Sequence, residues 1–551
     1  MKEESKQLYA AVILSVLIIF GVNHFFGLHE APKDLKQQKA APTVELKNTE
    51  EVQPASLSVE EALQQDDRVK IQTPAVSGSI RLKGARFDFL NLNRYKETLD
   101  SNSPNVALLA PADTKLPYFA EFGFLAQNSN AMPNASSLWT ADSSELSPEH
   151  PVTLKFDNGS GLIFTRNISI DENYLITISD TVLNNTAQVV EIYPFGRINR
   201  TYDPAQKSRS VVHEGVTGVI DTSAKEIKLT DIKENKPKTY EAQTAWLGFS
   251  DRYWFTAFIL DGDRQNTLSV SKTGTSTYQT DFRGEAIRIA PYSSQQTSVK
   301  FFAGAKEIKL LDKYTKEGIK KFDLAVDFGW YYFLTKPFFY ILDFLYKLIG
   351  NMGWAILLFA ALLRLLMFPI ANKSFESMSK MKKIQPKIIG LQNTYKNDKL
   401  LLQQKTMELY KKEKINPASG CLPMFIQIPI FFSLYKVLNI AIEIRHAPFI
   451  GWIKDLSAPD PLTISVWSHI PLPSLLDIGI WPILMGLTMW LQQKLNPAPA
   501  NKDQAKMFAM LPFIFTLMLG HFASGLVIYW TLSNILSLIQ QKAIMHKNGV
   551  K

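Results

Sequence analysis

Cysteine is almost absent: Cys421 stands alone among 551 residues, which excludes an internal disulfide framework and any cysteine-rich metal centre. No Gly-Lys dipeptide occurs, so there is no P-loop and no nucleotide hydrolase of that class. The long apolar runs lack His/Cys clusters and acidic pairs, which argues against a metalloprotease and a proton pump. His213-Glu214 lacks the second histidine of a zincin motif and reads as surface loop. No cofactor or metal is therefore expected. Charge of either sign is not dominant: 60 Lys plus Arg against 51 Asp plus Glu leave a net +9. Such a balance fits anionic lipid or ribosomal RNA only where the basic residues cluster, and DNA is not an expected partner.

What the chain has is long apolar runs, and one of them holds a charge. Arg364 lies within Trp354 to Ile370 (WAILLFAALLRLLMFPI), where a guanidinium in hydrocarbon is costly. Either it snorkels to headgroups from about seven residues inside the span's end, or it faces a wet cavity. Further candidate spans are Cys421 to Ile442, Ile478 to Leu491, Met507 to Phe522 and Gly525 to Ile539. An uncharged stretch from Leu8 to Phe26, preceded by Lys2 and Lys6, reads as an uncleaved signal anchor, with a cleaved signal peptide as the alternative. That makes six spans.

Between the anchor and the second span the texture changes twice. Residues 28–75 are polar and without hydrophobic period, a tether. Residues 76–310 show short alternating runs: Val152 to Phe156, the turn Asp157-Asn-Gly159 and Leu162 to Thr165 predict a hairpin, and many such strands predict a β-sandwich of about 230 residues. Residues 311–350 are helical and crowded with aromatics, an interfacial amphipathic segment leading into the span at 351–371.

Loop charge sets the topology. Segment 372–420 carries eleven lysines against four acidic residues and 492–506 three lysines against one, whereas 443–477 holds only Arg445 and Lys454. The first two then face the cytoplasm and the last faces outside, with both termini cytoplasmic and the β unit exported. Segment 372–420 reads as a basic helical hairpin, Ser374 to about Tyr395 and about Lys399 to Lys414, in which Pro386 should kink the first helix. Its Met378, Met381, Lys380, Lys382 and Lys383 suit either a client- or RNA-rich-partner surface or two helices burying their stripes over anionic lipid.

On a helical wheel from Tyr529, the residues Gln540, Ser533, Ser537, Trp530, Gln541 and Asn534 fall within roughly 140°. Such a stripe in lipid needs water or polar partners, so it lines a hydrophilic groove or serves as hydrogen-bond glue between helices. Gln427, between Ile426 and Ile428, supplies a further wall to the same polar space as Arg364. Lys436, about 180° round from Gln427, is assigned to snorkelling. A secondary transporter or channel is the alternative reading; it needs a pathway open to both sides, and neither internal repeats nor a second intramembrane charge facing Arg364 is seen.

The order of these parts, with FPIANKSFESMSKMKKIQPKI, INPASGCLPMFIQIPIFFSLYKVL, APFIGWIKDLSAPDP and SGLVIYWTLSNILSLIQQ, resembles the YidC/Oxa/Alb family of membrane protein insertases over nearly the whole chain. The resemblance implies a polytopic α-helical membrane protein with six transmembrane helices, a five-helix insertase core, a large periplasmic β-supersandwich domain and a cytoplasmic helical hairpin. It implies a groove open to cytoplasm and lipid that inserts and helps fold inner-membrane proteins, alone or with the Sec translocon, without enzymatic chemistry. In that groove Arg364 and Gln427 match the family's polar residues, and Tyr529 and Trp530 its client-contacting aromatics, alongside Ser533, Asn534 and Ser537. The partners it implies are nascent inner-membrane proteins, the Sec translocon with its accessory subunits, the ribosome or signal recognition particle receptor, and membrane lipids, in the bacterial inner membrane. The implied layout is a signal anchor at 1–27, the hairpin at 372–420, spans three to six within 421–541 and a tail at 542–551. Two departures stand out: Ala360 in place of a common Thr, which removes a groove hydroxyl, and His521-Phe-Ala in place of Trp-Phe-Pro, which puts the local turn in doubt.

Overall fold

The alternation at residues 152–165 forms the expected hairpin: in the computed structural model Val152–Asp157 pairs antiparallel with Leu162–Ile170, and Gly159 takes the left-handed φ of +67° that its turn requires. The structure describes residues 57–126, 132–205, 212–234, 236–396, 398–413, 415–416, 422–497 and 502–550. The anchor at 1–27 and residues 28–56 of the tether lie outside them; the rest of the expected tether is not one, since Val59–Leu63 is a short helix and Arg68–Gln72 a strand paired with Val76–Arg81, so the β unit starts before residue 76.

Eighteen strands lie between Arg68 and Ala305 among the described residues. The longest, Trp254–Lys272, changes neighbour along its length. Its first half pairs with Ser293–Ala305, its second with Thr277–Gly284, while Lys238–Ser250 follows it throughout. The change comes at Gly262, with φ +94°, opposite a register shift at Ala242/Thr244, the combination by which one strand bends from layer to layer. The inner faces are filled by aromatics, among them Phe87, Phe122 and Phe301, fully or nearly fully buried with ring centroids 5.6 to 6.1 Å apart.

The expected single aromatic helix at 311–350 is in fact two. Helix α1 (Ile308–Lys316) lies against the strands, and a 3-10 turn at Phe322–Ala325 drives Phe322 between Trp246 and Phe302. Helix α2 (Tyr332–Ile349) buries Phe338, Phe339, Leu342 and Leu345 and leaves Trp330 before it, and Phe333, Phe344 and Leu348 on it, exposed. It stops at Gly350, whose φ of +77° only glycine takes without strain, and Asn351 at once caps the next helix by accepting from the Trp354 amide at 3.1 Å.

That next helix, α3 (Met352–Thr394), is the main departure from expectation. The span and the first hairpin helix are one rod of 43 residues running through Pro369 and Pro386, each of which removes one backbone bond without ending the helix. It is followed by α4 (Lys399–Lys412), α5 (Leu422–Ile440), α6 (Ile480–Leu495), α7 (Lys502–Leu519) and α8 (Ser524–Lys547). Among the described residues α3 alone is long and apolar enough by itself to cross a membrane; Phe425–Ile440 and Ala505–Leu519 are shorter apolar stretches.

One hydrophobic core runs unbroken from the strands into these helices, and a polar joint reinforces it. Arg252, in the turn between two strands, donates to the Asn439 carbonyl at 2.7 Å and so caps the C-terminal end of α5, where a cation meets the helix dipole favourably. Lys436 does not snorkel: its ammonium pairs with Asp327 at 2.6 Å, because the segment before α2 brings a carboxylate within reach of the C-terminal end of α5. Glu443, just beyond α5, in turn accepts from the Ile308 amide at the start of α1, while its Oε2 is enclosed without a partner.

Burial, with Glu307 and Asp343 nearby, pushes the Glu443 carboxyl from the ordinary 4.5 up to about 7. The joined state thus favours the protonated acid. Its contribution is complete below about pH 4.5 and is lost as pH rises through about 7, up to about 3 kcal/mol. Glu443→Gln should accordingly flatten the decline in melting temperature of the full chain between pH 5 and 8; an unchanged profile would show that this carboxyl does not titrate in the joint.

Candidate functional site

Three helices converge on a pocket, and each sends in at least one of the residues singled out from sequence. From α3 comes Arg364, from α5 Gln427, and from α8 Tyr529 and Ser533, with Leu363, Met367, Ile370, Ala371, Pro423, Ile426 and Ile430 completing the walls. The space they enclose, including its open mouth, is about 380 Å³.

The polar groups form two couples. Arg364 donates from Nε and Nη2 to the Ser533 hydroxyl at 3.2 and 2.9 Å, and Gln427 Nε2 donates to the Tyr529 hydroxyl at 3.1 Å. No carboxylate pairs with Arg364 among the described residues. A guanidinium has five N–H donors, and one serine oxygen occupies two of them. The others face a largely apolar pocket, an arrangement that attracts water or an incoming acceptor, above all a carboxylate or carbonyl.

The polar stripe of α8 is not one wall. Tyr529 and Ser533 face the pocket, and Gln540 bonds the Asn372 amide oxygen at 2.7 Å and the Phe368 carbonyl at 3.3 Å, one to two turns further along the same seam with α3. Asn534 and Gln541 instead turn to α6, bonding Thr488 at 3.1 Å and Asn496 at 3.0 Å, while Ser537 bonds the Ser533 carbonyl at 2.7 Å. Trp530 lies between Phe431 and Phe515, centroids 4.7 and 6.1 Å away, and does not line the pocket. Groove and glue therefore share one helix, split by which neighbour each residue meets. Sequence reasoning missed Asn372, although its position eight residues after Arg364, about two turns, places it on the same side of α3.

The two departures are accommodated. Ala360 is buried in the core and does not line the pocket, so its missing hydroxyl is not taken from the groove. His521 bonds the Ser474 carbonyl through Nε2 at 2.7 Å, and α8 starts normally at Ser524.

In the hairpin, Met381 packs with Ile384, Ile388, Leu409, Tyr410 and Ile415, so it belongs to the small core between α3 and α4. Lys387 pairs with Glu413 at 2.7 Å across the same contact. Met378 and Lys382 are half-buried, whereas Lys380 and Lys383 are exposed and have no carboxylate partner among the described residues.

Comparison with known proteins agrees with this layout. Residues 68–341 match the family described as YidC periplasmic domain, and residues 344–550 that described as 60Kd inner membrane protein. The membrane protein insertase YidC of Beijerinckia indica subsp. indica is 45% identical over 587 residues, covering 100% of this chain and 97% of its own. That of Rickettsia bellii is 44% identical over 551 residues, covering 98% and 99%. A solved active YidC insertase covers 86% of this chain and 92% of its own at 16% identity and a TM-score of 0.36. With a β-sandwich unit matching the periplasmic domain, a helical unit matching the inner-membrane part and near-complete relatives at this identity, the chain belongs to the YidC family of membrane protein insertases.

Proposed function

We propose that this chain inserts membrane proteins by holding a client's short hydrophilic tail in the pocket between α3, α5 and α8 while the client's apolar segment moves into lipid. The observation that carries this is Arg364, a half-buried cation whose only hydrogen-bond partner among the described residues is one serine hydroxyl. A polar tail then exchanges water for Arg364, Gln427, Tyr529 and Ser533, which lowers the cost of carrying it across. An acidic tail residue gains a further 2.3 kcal/mol or so per charge per 100 mV of potential, inside negative. The reading assigns no chemical step and no cofactor.

In this proposal the chain crosses the inner membrane six times, with the β unit in the periplasm and the hairpin at 372–420 and both termini in the cytoplasm. The exposed Lys380 and Lys383 then offer a basic surface to the ribosome or the signal recognition particle receptor, and the β unit offers accessory contacts to the Sec translocon. Asn534, Ser537 and Trp530 act through helix packing, and Met381 through the hairpin's own core. Photoreactive groups placed at 427 and 529 should crosslink to the span of a nascent client well above one placed at Leu348, an exposed position on α2. Equal yields at all three positions would sink the groove reading.

A further inference from the structure

Between α5 and α6 the chain makes an excursion from Thr463 to Gly479, closed at its base by a bridge between those two residues and by the Ile464 amide on the Ile478 carbonyl at 3.0 Å. It leaves on the side of the β unit, since Arg445, in the segment that leads to it from α5, donates to the Glu97 carbonyl at 3.0 Å and lies over the Trp254 ring. From Leu462 to Leu476 it contains no Lys, Arg, Asp or Glu. Its tip presents Val466, Trp467, Ile470, Leu475 and Leu476 to the outside, with Trp467 56%, Ile470 60% and Leu475 65% exposed.

Apart from the exposed His469 and Ser474, the tip offers water little. The two carboxylates at its base are turned inward: Asp460 accepts from the Trp452 indole at 2.9 Å and from the amides of Leu462 and Trp481 at 3.0 and 2.8 Å, and Asp477 accepts the Ser465 amide at 2.9 Å and its hydroxyl at 2.5 Å. Gly479 is required there, because a Cβ would sit 2.4 Å from that of Asp460. Several backbone donors are spent internally as well. The amides of Val466 and Trp467 bond Thr463, that of Ile470 bonds the Ser468 hydroxyl, those of Leu476 and Asp477 bond Pro473, and Pro471 and Pro473 have none. His521 holds the far limb through Ser474. A loop with no Lys, Arg, Asp or Glu at its tip and with an exposed indole is what the boundary between headgroups and acyl chains accepts. The helices on either side of it in space or sequence, α6 and α7, also expose apolar residues such as Leu487, Phe513 and Met518.

We infer that the Thr463–Gly479 excursion is a monotopic anchor, inserted into the leaflet on the β-unit side, with lipid as its occupant. This rests on the reading of α6 and α7 as membrane spans. It gives the outer ends of α6 and α8 a fixed depth, since the excursion runs directly into α6 after Gly479 and is tied through Ser474 to His521, three residues before α8.

The test uses the full chain with Cys421→Ser, reconstituted in vesicles of phosphatidylethanolamine and phosphatidylglycerol. An environment-sensitive fluorophore is attached in turn at Trp467→Cys, Ile470→Cys and Leu475→Cys, at Tyr292→Cys in an exposed turn of the β unit, and at Phe513→Cys on α7. The three tip positions should show blue-shifted emission, several-fold weaker quenching by aqueous iodide than position 292, and stronger quenching by shallow than by mid-chain nitroxide lipids. Tip labels open to iodide while position 513 is quenched by lipid would overturn the anchor alone. Tip labels shielded from both quenchers would also overturn it, by showing a protein in place of lipid. A label at 513 that no nitroxide lipid quenches would overturn the spanning reading and the anchor with it.

Discussion

Arg364→Ala should slow insertion of a short acidic-tailed client into liposomes by roughly ten- to a hundredfold, while Arg364→Lys retains most of it. The magnitude follows from the value of a hydrogen bond to a charged group, about 1.5 to 3 kcal/mol, removed from the step in which the tail sits in the pocket. The site cannot replace the lost charge, because Gln427 and Tyr529 already bond each other at 3.1 Å and the freed Ser533 hydroxyl is neutral. Lysine keeps the charge and three donors but not the fork that spans Ser533 with two nitrogens, so a modest loss is expected from it. Ser533→Ala separates the two remaining explanations. If Arg364 serves the client, freeing it from its serine leaves insertion within a few-fold of the parent; if the couple only holds α3 to α8, Ser533→Ala is as damaging as Arg364→Ala. Insertion measured in liposomes with melting temperature alongside decides this. Normal insertion by a well-folded Arg364→Ala protein would end the charge-based role.

The second large effect belongs to the β unit. Arg166 is almost wholly enclosed, at 1% exposure, and donates to both oxygens of Asp180 at 2.7 and 2.8 Å and to the Phe122 carbonyl at 2.7 Å, beneath the Trp139 ring. Truncation to alanine leaves a carboxylate and a carbonyl buried without donors, a change that costs about 3 to 5 kcal/mol. Amides of Leu162–Ile170 and Leu175–Asn184, the strands that carry the pair, should then exchange with solvent two to four orders of magnitude faster in the full chain. Replacing both partners, Arg166→Met with Asp180→Leu, should restore much of that protection, because apolar residues of similar volume carry no desolvation penalty. Unchanged exchange in Arg166→Ala would mean that water reaches Asp180 in a way the packed structure does not suggest.

How much of this was legible before folding differs residue by residue. Arg364 was conspicuous because a charge inside an apolar run violates local expectation, and Gln427 for the same reason. Tyr529 and Ser533 could be placed on one face of α8 by the helical period alone. The same wheel grouped them with Asn534, Gln541 and Trp530, and there it failed, because angle on a helix does not say which neighbour stands at that angle. Thr488 of α6 and Asn496 just beyond its end claim Asn534 and Gln541, and Phe431 and Phe515 claim Trp530. Lys436 misled in a similar way. Alone on an apolar helix near its end it fits snorkelling, and only the approach of Asp327 from a segment 109 residues away turns it into an ion pair.

Local composition by itself determined the order and kind of the parts: an apolar charge-bearing span, a basic hairpin, alternating strands with their turns, and a last helix with a polar stripe. These depend on interactions between residues a few positions apart, through helical and strand periods and the transfer cost of single side chains. Only the tertiary structure decided that α3 runs unbroken through Pro369 and Pro386, that Arg364 meets Ser533, that the stripe divides between two helices, and that Arg252, Asp327 and Glu443 lock the β unit to the helices. Those choices join residues on the order of a hundred positions apart. They are set by which surfaces bury together and which buried polar groups must find partners, and neither quantity exists until the chain has folded.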